Sequence, residues 1–133
     1  MKAESLFISN NMKYNVLHEK TLNFSVRIVK LYKYLLKTQK EYDLPRQILR
    51  CGTSIGANAM ESRSAQSEAD FLNKLQIALK EADETSYWLQ LFLRVDYITQ
   101  EQFNSLDSEL QEIIKILVTI IKKKKKPSGS LNS

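Results

Sequence analysis

The hydrophobic positions of this chain fall into four stretches of helical period, separated by short polar breaks. In the first, Phe24, Ile28, Leu31, Tyr32 and Leu35 recur at three- and four-residue spacing and gather on one side of a 3.6-residue wheel. This predicts a helix beginning near Leu17–Thr21. Residues 1–16 show no sustained periodicity and read as an N-terminal arm, ordered in part through Leu6, Phe7 and Ile8. The pattern breaks at Glu41-Tyr42-Asp43-Leu44-Pro45, where Pro45 suits a first helical turn and Asp43 a cap. A second helix then runs to about Arg63, with Ile48, Cys51, Gly52, Ile55, Ala59 and Ser62 on its inner side. Arg50, Ser54, Ala57, Asn58 and Glu61 form an adjacent small or polar stripe, either plain surface or a hydrogen-bonded seam.

Ser67-Glu68-Ala69-Asp70 resembles a capping box and opens a third helix that reaches about Val95 without Gly or Pro. Phe71, Leu75, Ala78, Ala82, Leu89 and Leu93 make its core face. Ile77, Trp88, Phe92 and Val95 make a second stripe, with Lys74 and Glu81 among them. That arc is wider than a monomeric bundle needs. It is explained either by a broad core or by an oligomer interface through Ile77, Glu81, Trp88 and Phe92. Asp96-Tyr97-Ile98 is a tight turn and Thr99-Gln100-Glu101-Gln102 a second capping box. The fourth helix turns Phe103, Leu106, Leu110, Ile113, Leu117 and Ile120 inward. Pro127 stops it, leaving 127–133 as a disordered tail. The predicted fold is all-α: an antiparallel up-and-down four-helix bundle over 17–126.

Two glycines, Gly52 and Gly56, lie inside the second helix, where each costs about 1 kcal/mol relative to Ala. Their recurrence predicts close approach by another helix, with Gly52 and Gly56 structural and Ser54, Asn58 and Glu61 beside them in the same role. Only three Gly and two Pro in 133 residues agree with long helices and short loops. One cysteine, Cys51, excludes an intrachain disulfide and reads as a small core residue. No apolar run resembles a leader or a membrane span, so a cytoplasmic protein without membrane contact is expected.

Charge changes the picture more than composition does. The net charge is +5, and Lys122 to Lys126 alone supply five positive groups. Residues 1–50 carry ten basic and four acidic side chains; residues 51–121 carry five and eleven. Such asymmetry implies head-to-tail self-association or an anionic partner. Lys30, Lys33, Lys37 and Lys40 cluster within about 80° of helical arc, as either a solvated face or a phosphate-contacting stripe. With Arg46, Arg50, Lys122, Lys123, Lys124, Lys125 and Lys126 they form the candidate nucleic-acid-binding set. Tyr32, Tyr34 and Tyr42 interleave with them and are candidates for base stacking.

Catalytic signals are missing. The chain has one histidine, His18, without a partner at metal-ligand spacing. No HExxH, CxxC or phosphate-binding loop is present. Gly52-Thr53-Ser54-Ile55-Gly56 has neither the strand-turn-helix setting nor the His partner of a nucleophile elbow. Glu81 and Glu84 are set to pair with Lys or Arg across the bundle. The expectation is a protein that is not an enzyme and carries no cofactor or metal.

The run Leu49-Arg50, Gly52 to Asn58 and Glu61 resembles the signature of a bacterial four-helix bundle family encoded in intervening sequences of 23S rRNA genes and named ribosomal-protein-like. A second block resembles it too: Asp70-Phe71, Lys74-Leu75, Ile77 to Ala82, Glu84-Thr85 and Tyr87-Trp88-Leu89. Cys51 stands where a serine is usual. The resemblance spans roughly residues 17–122 and implies an up-and-down protomer that forms pentameric rings. A related branch, the accessory proteins of diversity-generating retroelements, implies RNA or DNA and a reverse transcriptase as partners. A scaffold that binds only protein is the alternative function.

Overall fold

The computed structural model describes residues 2–125, with side chains from Tyr14 onward. It contains α1 (Lys2–Gln39), α2 (Asp43–Ser62), α3 (Glu68–Arg94) and α4 (Gln100–Lys125). Each helix packs on the next in sequence and α4 closes against α1; across the diagonal, Tyr14 of α1 meets Phe71 of α3 edge-on, ring centroids 5.6 Å apart. Cross-helix bonds fix the directions. Lys20 reaches Glu112 and Arg27 reaches Ser105, so α1 and α4 are antiparallel. Arg50 reaches Glu84 and Lys74 reaches Glu61, so α2 and α3 are antiparallel. The result is an up-down-up-down bundle.

The core follows the wheel on three helices. Ile48, Cys51, Gly52, Ile55, Ala59 and Ser62 are buried on α2, joined by Pro45. Phe24, Ile28, Leu31 and Leu35 are buried on α1, with Leu17 and Thr21 extending the stripe. Leu106, Leu110, Ile113, Leu117 and Ile120 are buried on α4, and Ile121 with them; Phe103 is only half-buried. The first helix does not start near Leu17–Thr21 but at Lys2, so the backbone expected to be an arm continues α1. The tail at 127–133 and Lys126 lie outside the described residues.

Helix α3 corrects the wheel. Phe92, assigned to an oligomer interface, is fully buried, while Leu93, assigned to the core, is half-buried. Neighbours on a helix differ by about 100°, so the two flank the core centre and the turn that follows decides between them. Tyr97 N–H donates to Phe92 O at 2.9 Å and Asp96 N–H to Leu93 O at 3.2 Å. Asp96 sits at φ 63. These are the paired bonds of a Schellman motif, with Asp where Gly is usual. The motif folds Tyr97 back onto Phe92, ring centroids 5.7 Å apart and stacked, which draws Phe92 inward.

Caps set the other ends. Thr99 Oγ1 accepts from Gln102 N at 3.1 Å, and Gln102 Oε1 from Thr99 N at 2.8 Å, a complete capping box. Ser67 accepts from Asp70 N at 3.0 Å. Asp43 is not the α2 cap. It is the first helical residue, and Glu41 Oε2 accepts the Leu44 N–H at 2.7 Å instead. The longer glutamate reaches from one residue before the cap position, which the sequence pattern did not reveal.

The glycines mark a close approach of α1 to α2. A Cβ added to Gly52 would lie 2.9 Å from both Cγ1 and Cγ2 of Ile28, and one on Gly56 would lie 3.2 Å from Thr21 Cβ and Oγ1. Helix α1 therefore rests on the backbone of α2 through a β-branched ladder, and a branched side chain cannot swing its Cγ atoms aside. Overpacking of this kind costs about 1–3 kcal/mol, against about 1 kcal/mol gained in helix propensity. Gly52→Ala is thus expected to destabilise the chain by up to about 2 kcal/mol, read by urea unfolding. In an Ile28→Ala background the clash is gone, and the same change is expected to stabilise by about 1 kcal/mol. A destabilising Gly52→Ala in both backgrounds would refute the close-packing explanation.

Candidate functional site

Two polar arrangements stand out: a paired network on the α2–α3 face, and a row of unpaired lysines on α1. In the network, Arg50 Nη1 meets Glu81 Oε2 at 3.3 Å and Nη2 donates to Glu84 Oε2. Trp88 Nε1 donates to the same Glu84 oxygen at 3.1 Å. Two to three turns further along the same face, Lys74 pairs with Glu61 at 3.2 Å. The Arg50 pairing supplies the cross-bundle partner expected for Glu81 and Glu84, and it removes Arg50 from the nucleic-acid set: its charge is already matched by two carboxylates. Glu81 is likewise held within the protomer.

Ser54 and Asn58 do not bridge helices. Ser54 Oγ donates to Arg50 O at 2.7 Å and Asn58 Nδ2 to Ser54 O at 2.9 Å, both within α2. Beneath them Cys51 is buried and takes a hydrogen bond from Thr85 Oγ1 at 3.3 Å. Burial pushes the Cys51 thiol up to about 11, so almost none is thiolate at neutral pH, and it packs as a core residue. Thr85, fully buried on α3, stands in the second sequence block but is not among the positions read as the core face. The one hydroxyl hydrogen is shared with Glu81 O, the shorter contact at 2.7 Å, which lets Thr85 replace an apolar residue inside a helix contact.

The hydrogen bonds from Arg50 and Trp88 hold the Glu84 carboxyl below its ordinary value of 4.5. A carboxyl more acidic in the folded chain than in the unfolded one stabilises the fold above the unfolded pKa, and loses that contribution as pH falls through the folded one. Wild-type stability should therefore drop more steeply below pH 4.5 than that of Glu84→Gln. The difference should be at most about 1 kcal/mol, since Glu84 is partly solvated. Parallel acid titrations of the two proteins, with no difference in slope, would refute it.

The basic residues divide by position. Lys30, Lys33, Lys37, Lys40 and Arg46 are exposed, and none has a carboxylate within 4.0 Å among the described residues. Lys40 ends α1 at φ 52, and Arg46 lies in the first turns of α2, so the five share one end of the bundle. Lys122, Lys123, Lys124 and Lys125 are at the other end. Ser105 is level with Arg27 on α1, and from there α4 rises about 26 Å to Lys122 at 1.5 Å per residue. Lys124 is also engaged, 3.4 Å from Glu68 and 5.5 Å above the centroid of Phe71. The two lysine groups do not form one surface, which antiparallel topology already implies and charge counting alone had missed.

Of the residues assigned to an oligomer interface, Ile77 and Trp88 remain half-buried at the α3 surface, next to exposed Tyr87 and Val95. Leu22 and Val26 are exposed on α1. No group of three metal-ligating side chains is assembled among the described residues. No described helix is long and apolar enough to cross a membrane.

Fold and surface together define an all-α, up-and-down bundle with a paired network on its α2–α3 face and, at both ends, cations unpaired among the described residues, those of α1 and Arg46 at one and Lys122, Lys123 and Lys125 at the other. Comparison with known proteins supplies the family. Residues 13–119 match the model of the 23S rRNA-intervening sequence protein family, and the chain belongs to it. The fold is similar to the crystal structure, at 1.70 Å resolution, of a protein of unknown function from the S23 ribosomal protein family of Bacteroides thetaiotaomicron. Identity is 58%, over 83% of this chain and 98% of that one, with a TM-score of 0.81. No curated protein matches.

Proposed function

We propose that this chain is a non-enzymatic, self-associating bundle that binds nucleic acid through the end carrying Lys30, Lys33, Lys37, Lys40 and Arg46. One observation carries the reading: these five exposed cations gather at one end of the bundle, and none has a carboxylate partner among the described residues. Lys30, Lys33 and Lys37 lie on α1 with Lys40 just past its end, a row of about 15 Å that suits a phosphate backbone. The side chains that would be first candidates for chemistry serve packing instead: Cys51 in the core, Glu81 and Glu84 on Arg50.

Self-association is supported by unlike exposed patches, Leu22 and Val26 on α1 and Tyr87 and Val95 on α3. Two unlike patches favour a head-to-tail contact, and such contacts close into rings. Five copies is the favoured number on the resemblance described above. Gel-shift titration with RNA and DNA at rising salt tests the binding. No shift at low salt would overturn it, and loss only on removing Lys122–Lys126 would move the site to the opposite end. Light scattering at micromolar concentration tests assembly, and a protomer mass would overturn that part.

A further inference from the structure

Helices α1 and α4 do not close fully where α1 carries its lysines. A cleft of about 230 Å³ opens between them, lined by Arg27, Lys30, Leu31, Tyr34, Gln102 and Leu106. Its floor is apolar, since Leu31 and Leu106 belong to the core. Tyr34 forms a wall and is 43% exposed. Facing it, Gln102 comes from the first turn of α4. Its Oε1 is occupied by the Thr99 N–H at 2.8 Å, so the carboxamide is fixed and only its Nε2 donor is left for a ligand.

Arg27 closes one end. Its Nη2 donates to Ser105 Oγ at 2.9 Å. Its Nη1 lies 2.9 Å from Glu109 Oε2, an ion pair whose angle makes no hydrogen bond to that oxygen. Its charge is therefore matched within the protein. Lys30, on the rim, has no such partner among the described residues and is the first lysine of the row.

Pockets that enclose whole small ligands run to about 300–1,000 Å³. This cleft is smaller and open, so it suits one flat ring of a ligand that otherwise lies on the surface. An aromatic wall, an apolar floor, a fixed donor and a rim cation match one nucleotide: stacking face, base carbonyl and phosphate. Bases inside a duplex are stacked and paired and would have to be flipped out to enter.

We infer that the nucleic acid held by the α1 lysines is single-stranded, with one base seated in the α1–α4 cleft against Tyr34. This rests on the nucleic-acid reading above and adds to it the form of the strand and the place of a base. A base carbonyl is the kind of acceptor that the Gln102 carboxamide at the cleft would take.

Fluorescence anisotropy at low salt tests it, with labelled oligo(U), oligo(dU) and a duplex RNA as probes. Wild type should bind a single strand more tightly than the duplex. Tyr34→Ala should weaken single-strand binding about 5- to 150-fold, the range for loss of one stacked base, and leave duplex binding unchanged. Tyr34→Phe should restore it, because the ring is kept. Tyr34 is outside the core, so both variants should melt like wild type. A Tyr34-dependent preference for either single strand supports the inference. Equal affinity for duplex and single strand overturns it, as does an inert Tyr34→Ala where alanines at Lys30, Lys33, Lys37 and Lys40 abolish binding; the lysine reading then stands. No binding of any probe overturns both.

Discussion

Alanine at Lys30, Lys33, Lys37 and Lys40 together should reduce nucleic-acid affinity by up to about 10³-fold in roughly 0.1 M salt. Each neutralised phosphate releases condensed counterions, so the log–log slope of affinity against salt shortens by about 0.9 per contact on a duplex and 0.7 on a single strand. Removing four contacts should shorten it by about 3.6 or 2.8 respectively. Slope is the better readout, because a folding defect lowers the active fraction without changing it. Alanine at Lys122, Lys123 and Lys125 is the control: those side chains are exposed too, but at the far end of the bundle. If the control set shortens the slope and the α1 set does not, the binding surface is at the other end.

Phe92→Ala should cost about 3–5 kcal/mol of protomer stability, the range for emptying a fully buried aromatic site. Against a total of about 5–15 kcal/mol this is a large loss, and the thermal midpoint should fall by roughly 10–20 °C. Part of the loss comes from the α3 turn, where Tyr97 stacks on Phe92 and both helix-ending bonds converge. Had Phe92 been a subunit contact, the substitution would weaken assembly and leave the unfolding of an isolated protomer alone. Chemical unfolding followed beside light scattering separates the two. Val95→Ala, at an exposed site, should show little change in unfolding.

The residues that made the fold legible are those whose environment is set by one helix and one neighbour. The inner face of α2 could be read directly because its apolar, small and glycine positions keep a strict 3.6 period, and Gly52 and Gly56 announce the approach of α1. The Thr99–Gln102 box was readable for a similar reason, being local in sequence. Phe92 was not, because its direction is decided by a left-handed turn at Asp96, a residue type that pattern reading does not expect there. Glu41 took the capping role given to Asp43 through side-chain length, which periodicity does not encode. For the candidate site, the α1 lysine row was visible as charge. Its separation from the tail lysines, and the loss of Arg50 to Glu81 and Glu84, are facts of tertiary pairing.

The loosest of the four helix contacts, between α1 and α4, lies directly beneath the basic end. It is bridged by partly solvated ion pairs, Lys20 with Glu112 and Arg27 with Glu109, each worth no more than about 1 kcal/mol. Sub-global opening should therefore begin by α4 parting from α1, while α2 and α3 stay docked. In hydrogen-exchange language, the amides of α4 should form a less protected cooperative unit than those of α2. If the proposed nucleic-acid binding holds, ionic strength that frees a strand from the lysines should also weaken these bridges, so occupancy of the surface and closure of the seam should fall together as salt rises.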